Sequence, residues 1–315
     1  MIRELSEGDI RDIAGLWGSF YPSRYRVDEA QIRVNTCDCA VFDWGATVLS
    51  RGPEGELRGF ALVKKSASPR LWRGSDVDQA HLSAVAFTEP EVGIDMLAQV
   101  KRVLQERGAN RLVFGQDARH FFPGCPEDFP GLRDFLMVEG FETGGECCDL
   151  ECDLAKYKNP AKKTDAEMRV LSKKDVAGLE RFFDREFPGR WKSDTLSKVQ
   201  AEGPEAVFGL FLKGEIEGFA LIQHWADKMP IGGAVWHMDL GEKWGALGPI
   251  GVSAGVRGHG YGDAVLGGAI EHLRGLGVGR MIIDWTGLVK FYGRHGFEAT
   301  RKYQTLALNL ETVRT

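Results

Sequence analysis

The chain repeats itself, and this constrains its fold more than any single motif, because self-similarity at a long period fixes architecture before local pattern does. GELRGFALVKK, beginning at Gly55, returns as GEIEGFALIQH at Gly214, and the shared GFAL starts at Gly59 and Gly218, an offset of 159. IRELSEGDIRDIAGLW from Ile2 and MRVLSKKDVAGLERFF from Met168 each read as a short strand followed by an amphipathic helix. ERGANRLVFG from Glu106 is answered by GLGVGRMIID from Gly275, and MVEGFE from Met137 by GRHGFE from Gly293. The order of matches never changes, and small drifts in offset are what loop insertions produce. Each half predicts strand, helix, a loop-rich or helical stretch, a hairpin around GFAL, a strand, a helix, a strand, a short helix and a final strand. The expectation is a mixed α/β (α+β) domain used twice, over 1–154 and 168–315. Between them, AKYKNPAKKTDAE (155–167) is charged, lacks apolar periodicity and reads as a linker.

Composition narrows the function. With 43% hydrophobic and 27% charged residues and a formal net charge of −5, nucleic acid and anionic membrane are not expected partners, and a small basic or neutral ligand fits better. No stretch approaches the roughly 18 apolar residues of a membrane helix, and the acidic MIRELSEGDIRD is unlike a signal peptide, so a cytoplasmic protein, monomer or homodimer, is expected. All six cysteines fall in the first half, at 37, 39, 125, 147, 148 and 152. They lack CxxC pairs and a nearby histidine, so reduced thiols and no metal are expected.

The second half carries LGPIGVSAGVRGHGYG over 247–262, a strand followed by glycines 258, 260 and 262. A helix is predicted from Asp263 to Gly277, so the glycines form a strand-to-helix turn. Its backbone N–H groups have no intrahelical partner and favour a diphosphate. A dinucleotide site would want GxGxxG in a first βα unit and an acid about 20 residues on. Asp284 stands at such a distance, but the spacing is GxGxG and only about 50 residues remain, too few for a doubly wound sheet.

Arg257-Gly258-His259-Gly260-Tyr261-Gly262 resembles the Q/R-x-x-G-x-G/A turn of the GNAT (Gcn5-related) N-acetyltransferases, and Phe291-Tyr292-Gly293-Arg294-His295-Gly296-Phe297 resembles their F/L-Y-x-x-x-G-F segment. The resemblance covers the second half. It implies two tandem acyl-CoA N-acyltransferase (GNAT) domains, each a mixed, mostly antiparallel sheet flanked by helices, and an acetyl-CoA-dependent transfer to a primary amine of a small molecule. It further implies that Ile250, Gly251 and Val252 hold the pantetheine arm, that residues 257–262 with Asp263 hold the diphosphate, and that Tyr292 protonates the thiolate. For the base, Asp284 is the first candidate, with a helix N-cap as its equally weighted structural reading; Asp239, Glu242 and His237 follow. Where the family often has an asparagine, Trp285 and Thr286 stand. Aligning Gly93 with Gly262 sets Thr88, Glu89 and Glu91 against Arg257, Gly258 and Gly260, and Leu136 matches Tyr292, so the first half is expected not to bind CoA productively.

Five tryptophans (191, 225, 236, 244 and 285) lie in the second half. Arg190, Trp191, Trp236 and Trp285 are the candidate acceptor-binding residues, since flat aromatic faces suit a sugar ring, with core packing as the alternative for each. Phe187-Pro188-Gly189-Arg190-Trp191, together with LGPIGV, IDWT and FYxxxGF, more loosely resembles bacterial amino-sugar (glucosamine, glucosaminide) acetyltransferases. A mycothiol-synthase-like acetylation of a cysteinyl glycoside and a non-catalytic CoA-binding protein remain open.

Overall fold

The structure is a computed structural model and describes residues 5–66, 78–227 and 235–310. It divides into two compact units, Met1–Cys148 with Arg301–Thr315, and Asp149–Thr300. This division crosses the sequence repeat. The first unit draws on the C-terminal segment, and the second begins before the segment expected as a linker.

Unit 1 runs α1 (Glu7–Phe20), α2 (Glu29–Asn35), β1 (Val48–Arg51), β2 (Leu57–Lys65), β3 (Gln79–Phe87), α3 (Pro90–Glu106), β4 (Arg111–Phe114), β5 (Cys125–Pro126), α4 (Pro130–Val138) and the start of β6 (Glu142–Asp153). A Ser6/Asp9 capping box opens α1, whose Ile10, Ile13 and Trp17 at helical spacing enter the core. Strands β1, β2 and β3 pair antiparallel, and β3 pairs β4 in parallel over Gln79–Leu82 and Arg111–Phe114. The next strand is not from the same repeat. It is β12 (Glu298–Asn309), antiparallel to β4 through Ala307↔Val113 and Asn309↔Arg111.

Unit 2 contains the end of β6, β7 (Glu167–Val170), α5 (Val176–Glu186), α6 (Arg190–Glu202), β8 (Val207–Leu212), β9 (Glu215–His224), α7 (His237–Leu240), β10 (Trp244–Val252), α8 (Tyr261–Gly275), β11 (Arg280–Thr286) and α9 (Val289–Gly293). The strand order is β7-β8-β9-β10-β11, with the end of β6 beside β11. The β7–β8, β8–β9 and β9–β10 pairs are antiparallel and β10–β11 is parallel, and just past β6 the Leu154 N–H donates to the Gly279 C=O at 2.8 Å. Leu179, Phe182 and Phe183 of α5 pack with Phe219 and Leu221 of β9, each nearly or fully buried, and burying a side chain of this size contributes about 1.5–3 kcal/mol. On α8 the buried face is Ala264, Val265, Leu266, Ala269, Ile270 and Leu273.

Residues 155–167 are not a free tether. They form a strap along α8: Arg274 near its C-terminus donates to the Tyr157 carbonyl (3.3 Å), Asn159 lies against Gly267 at mid-helix, and Tyr261 at the N-terminus donates to Asp165 (2.8 Å). The six cysteines form no disulfide. Among the described residues, no helix is long and apolar enough to cross a membrane.

Candidate active site

The site lies within unit 2, where two neighbouring strands part. β10 and β11 pair in parallel only over Trp244–Ala246 and Arg280–Ile282. Beyond Ala246, β10 stays with β9, with a register shift between Leu247 and Ile250 that takes up Gly248 and Pro249. One edge of β10 thus faces the gap.

The ladder decides which backbone groups face that gap. Ser253 N–H donates to Glu217 C=O (2.9 Å), so residues two positions back, Gly251 and Phe219, form the next hydrogen-bonded pair. Ile250 and Val252 are non-hydrogen-bonded partners of Ala220 and Gly218, and their N–H and C=O groups turn away from β9. Of the three residues expected to hold an arm, Gly251 has its amide committed to β9, whereas Ile250 and Val252 present theirs outward. Gly251 has another constraint: a Cβ there would approach the Phe187 ring to 2.7 Å. Arg257 reaches back towards the Val252 carbonyl, with Nε at 3.4 Å.

After Val252, a short 3₁₀ turn at Ala254–Val256 leads through Arg257 into the glycines. Glu186 accepts the Ala254 N–H (2.9 Å), a bond that, with Arg185, holds its carboxyl below the usual carboxylate range. Gly258 (φ 82°) and Gly260 (φ 85°) are left-handed and open to solvent-side space, so these positions need glycine for conformation rather than room. Gly260 is the N-cap of α8 and supplies no side-chain cap, leaving the exposed amides of the turn to a ligand. Gly262 is different. It lies inside α8, and an added Cβ would meet the Phe291 ring at 3.7 Å. His259 is exposed, its ring nitrogen 3.0 Å from the Arg257 carbonyl.

α8 begins two residues before the predicted Asp263, which places that carboxylate in the first turn. Asp263 is bound by Arg294 (2.8 Å) and by His295 Nε2 (3.3 Å), while His295 Nδ1 meets the Tyr157 hydroxyl at 2.9 Å. His295 is buried, and burial lowers its pKa against the opposing pull of Asp263. Phe291, Arg294 and His295 therefore fix the short α9 segment to the first turn of α8.

That segment carries Tyr292, which is 5% exposed. Burial first, and then the Asp284 charge, raise its pKa far above that of a free tyrosine, so the hydroxyl keeps its proton at neutral pH. Asp284 lies inside β11 rather than capping a helix, and its Oδ1 is 3.6 Å from where a Cβ on Gly248 would stand, across the gap on β10. The turn before α9 is closed by Thr286, whose hydroxyl accepts from Leu288 N–H (3.0 Å), and Leu288, the N-cap of α9, has no side-chain cap bond. The structure thus brings Asp284 and Tyr292 to the parting strands.

Trp285 takes a left-handed backbone (φ 45°), uncommon for a bulky residue, and its N–H is bound by buried Asp149 (3.0 Å). The Arg190 guanidinium stacks on the indole at 4.5 Å and also bonds Asp194 (3.0 Å). Trp191 packs on Phe187 and Phe219 and is 39% exposed. Trp236 is 1% exposed, a core residue with no face towards a ligand. His237, Asp239 and Glu242 lie on α7 and the turn leading into Trp244, the end of β10 that is still paired with β11. Sequence reasoning missed Asp149, Glu186 and Tyr157, and did not foresee that Arg294 and His295 would hold Asp263, because these contacts join segments far apart in the chain.

Unit 1 has the same parting strands, closed. Val85 pairs Ala61 as Ile250 pairs Ala220, and both alanines are the third residue of GFAL. The Tyr21 hydroxyl donates to Val85 C=O (2.7 Å) and accepts from Val85 N–H (3.3 Å). Behind it, Lys64 and Asp117 form a fully buried ion pair at 2.5 Å, joined by Ser83 (2.7 Å). The turn is also shorter. Only residues 88–89 separate β3 from α3, against 253–260 between β10 and α8. The expected replacement of glycines by glutamates is therefore a loss of the turn itself; Glu89 stands at the N-cap position of α3 without a side-chain cap bond and pairs with Arg58.

Residues 176–297 match the acetyltransferase (GNAT) family model. Comparison with curated protein sequences finds no match. Among solved structures, the chain resembles a GCN5-related glucosamine N-acetyltransferase region of a fungal multi-domain GH3 β-N-acetylglucosaminidase, at 20% identity and TM-score 0.86, over 97% of this chain and 37% of that one. The chain thus spans little more than a third of that protein. It also resembles a GCN5-related N-acetyltransferase from Sphaerobacter thermophilus (16%, TM-score 0.69, 99% and 96% covered) and a tandem GNAT protein from the clavulanic acid biosynthesis pathway (13%, TM-score 0.65, 98% and 97% covered). The fold is that of the GNAT N-acetyltransferases, in tandem form.

Proposed function

We propose that unit 2 transfers an acetyl group from acetyl-CoA to a primary amine of a small molecule, with an amino sugar as the acceptor. The observation that carries this reading is the parted edge of β10. Ile250 and Val252 offer outward backbone groups, and the same strand leads directly into the uncapped N-terminus of α8. An arm ending in a diphosphate fits such an edge, pairing as an added strand and finishing on the turn's amides.

Acetyl-CoA supplies the thioester. The chain's own groups do the rest. Asp284 takes the proton that an ammonium acceptor must lose, and the amine nitrogen then forms its bond to the acyl carbon. A backbone N–H on the β10 edge stabilises the developing oxyanion. As the carbon–sulfur bond breaks, Tyr292 provides the proton for the departing thiolate, and the second proton that the nitrogen loses on becoming an amide restores the Tyr292 hydroxyl. Its raised pKa is compatible with that role, because burial that penalises the phenolate also penalises the thiolate.

For the acceptor, Trp285 is the platform, and since Arg190 occupies one face of the indole, a sugar ring would use the other. The fungal neighbour's description as a glucosamine N-acetyltransferase region supports the same class. Unit 1, with Tyr21 on its strand edge and its turn shortened, takes no acetyl-CoA in this reading.

The test is thiol release from acetyl-CoA with glucosamine, glucosaminides, cysteinyl glycosides, polyamines, amino acids and peptides as acceptors. Turnover with amino sugars, lowered roughly 10²–10⁴-fold in Tyr292→Phe with acetyl-CoA binding retained, is expected. Binding without turnover on any amine would make the protein a CoA binder instead.

A further inference from the structure

Unit 1 holds a cavity of about 370 Å³ lined by Gln79, Arg111, Gln116, Gly144, Thr305 and Ala307, among others. The repeat shows what is missing from it. Leu154 N–H bonds Gly279 C=O at 2.8 Å, and Leu310 N–H bonds Asn110 C=O at 2.8 Å. These two bonds are equivalent: Leu154 and Leu310 are related by the offset of 156 between GFE at 140 and at 296, and Asn110 and Gly279 by the offset of 169 between ERGANRLVFG at Glu106 and GLGVGRMIID at Gly275. The register then equates Arg280 with Arg111, Glu151 with Ala307 and Thr300 with Gly144.

In unit 2 this place is filled. Arg280 is paired with Glu151 at 2.6 Å, and Thr300 donates to the other carboxylate oxygen of Glu151 at 2.8 Å. Unit 1 keeps the arginine but has alanine and glycine where the carboxylate and the hydroxyl stand. Trp244 and Trp285 likewise become Gln79 and Gln116 at the equivalent positions. The result is a polar cavity beside a guanidinium that has no acidic partner among the described residues.

We propose that this cavity is a ligand site for a small hydrophilic carboxylate, whose carboxyl group takes on Arg111 the place that Glu151 takes on Arg280. The volume is that of roughly a dozen waters, which admits a six-carbon acid. The walls offer amide and hydroxyl groups of Gln79, Gln116, Thr143, Thr305 and Asn309 to its remaining polar atoms, and Glu142, which also lines the cavity, disfavours ligands with more than one negative charge. This site is separate from the acetyl-transfer site and does not depend on that reading.

The experiment is calorimetric titration of the full chain with the monoanions D-glucuronate and D-gluconate, with neutral D-glucose as control. Saturable binding of at least one acid and none of glucose is expected, at one site per chain. Arg111→Gln should weaken it roughly 10- to 100-fold, the range for losing a charge-assisted hydrogen bond. Ala307→Glu, which rebuilds the arrangement of unit 2, should abolish it while raising the thermal midpoint. No saturable binding of either acid, equal binding of glucose, or binding that survives both substitutions would overturn the proposal.

Discussion

Alanine at each of two glycines of the turn should have opposite effects. Gly260 has φ 85° and nothing within 4 Å of an added Cβ, so Gly260→Ala meets no clash and bears only the backbone penalty of the left-handed region. That penalty is about 1–2 kcal/mol, a fall of about 2–8 °C in the unfolding midpoint for a unit of this size. Gly262 is already helical, and its added methyl would meet Phe291 at an ordinary 3.7 Å. Replacing a helical glycine by alanine gains roughly 0.5–1 kcal/mol, so Gly262→Ala should be neutral or stabilising. Acetyl-CoA affinity should follow conformation. Gly260→Ala displaces the amides from their left-handed turn and weakens binding, whereas Gly262→Ala, with its methyl towards Phe291, stays within about twofold of the parent, well under the 1.4 kcal/mol of a tenfold change. Urea unfolding with calorimetric titration of both variants decides the matter. A Gly262→Ala protein destabilised as much as Gly260→Ala, or a silent Gly260→Ala, would refute the assignment of separate reasons to the two glycines.

Other outcomes follow from the same contacts. If His295 acts on catalysis by holding α9, His295→Gln should lower kcat in the parent but add less than about twofold in a Tyr292→Phe background, as expected when two residues act as one unit; equal losses in both backgrounds would make His295 merely structural. Because burial depresses the His295 pKa below 6.5, its contribution to stability is complete above pH 6.5 and is lost as pH falls below that value. Urea midpoints should therefore depend less on pH between neutrality and mild acid in His295→Gln than in the parent. Equilibrium titration should find one acetyl-CoA per chain, and a second equivalent in the parent would contradict the closing of unit 1 by Tyr21.

Much of this was legible in the sequence because it is local. The repeat, the helix of Val265, Leu266, Ala269, Ile270 and Leu273, the turn at 257–262 and the Tyr292 segment each declare themselves within a dozen residues, by period or by spacing. What could not be read is non-local. Nothing near Tyr21 announces that its hydroxyl will meet Val85, 64 positions away. The shortened turn before α3 was hidden because aligning glycine with glycine assumes equal loop lengths, so residues 88–91 took places that unit 1 does not possess. Trp236 shows the same limit from another side. A tryptophan beside predicted site segments suggested a ligand face, and only packing showed that it belongs to the core.

The division of the chain has a historical consequence. Unit 1 contains 301–315, from the end of the second repeat, and unit 2 contains 149–153, from the end of the first. A duplicated gene whose products share their last strands in this way cannot be trimmed back to one copy, because neither half retains a whole sheet. The scaffold of each half is thereby needed by the other half's sheet, whatever its own strand edge binds.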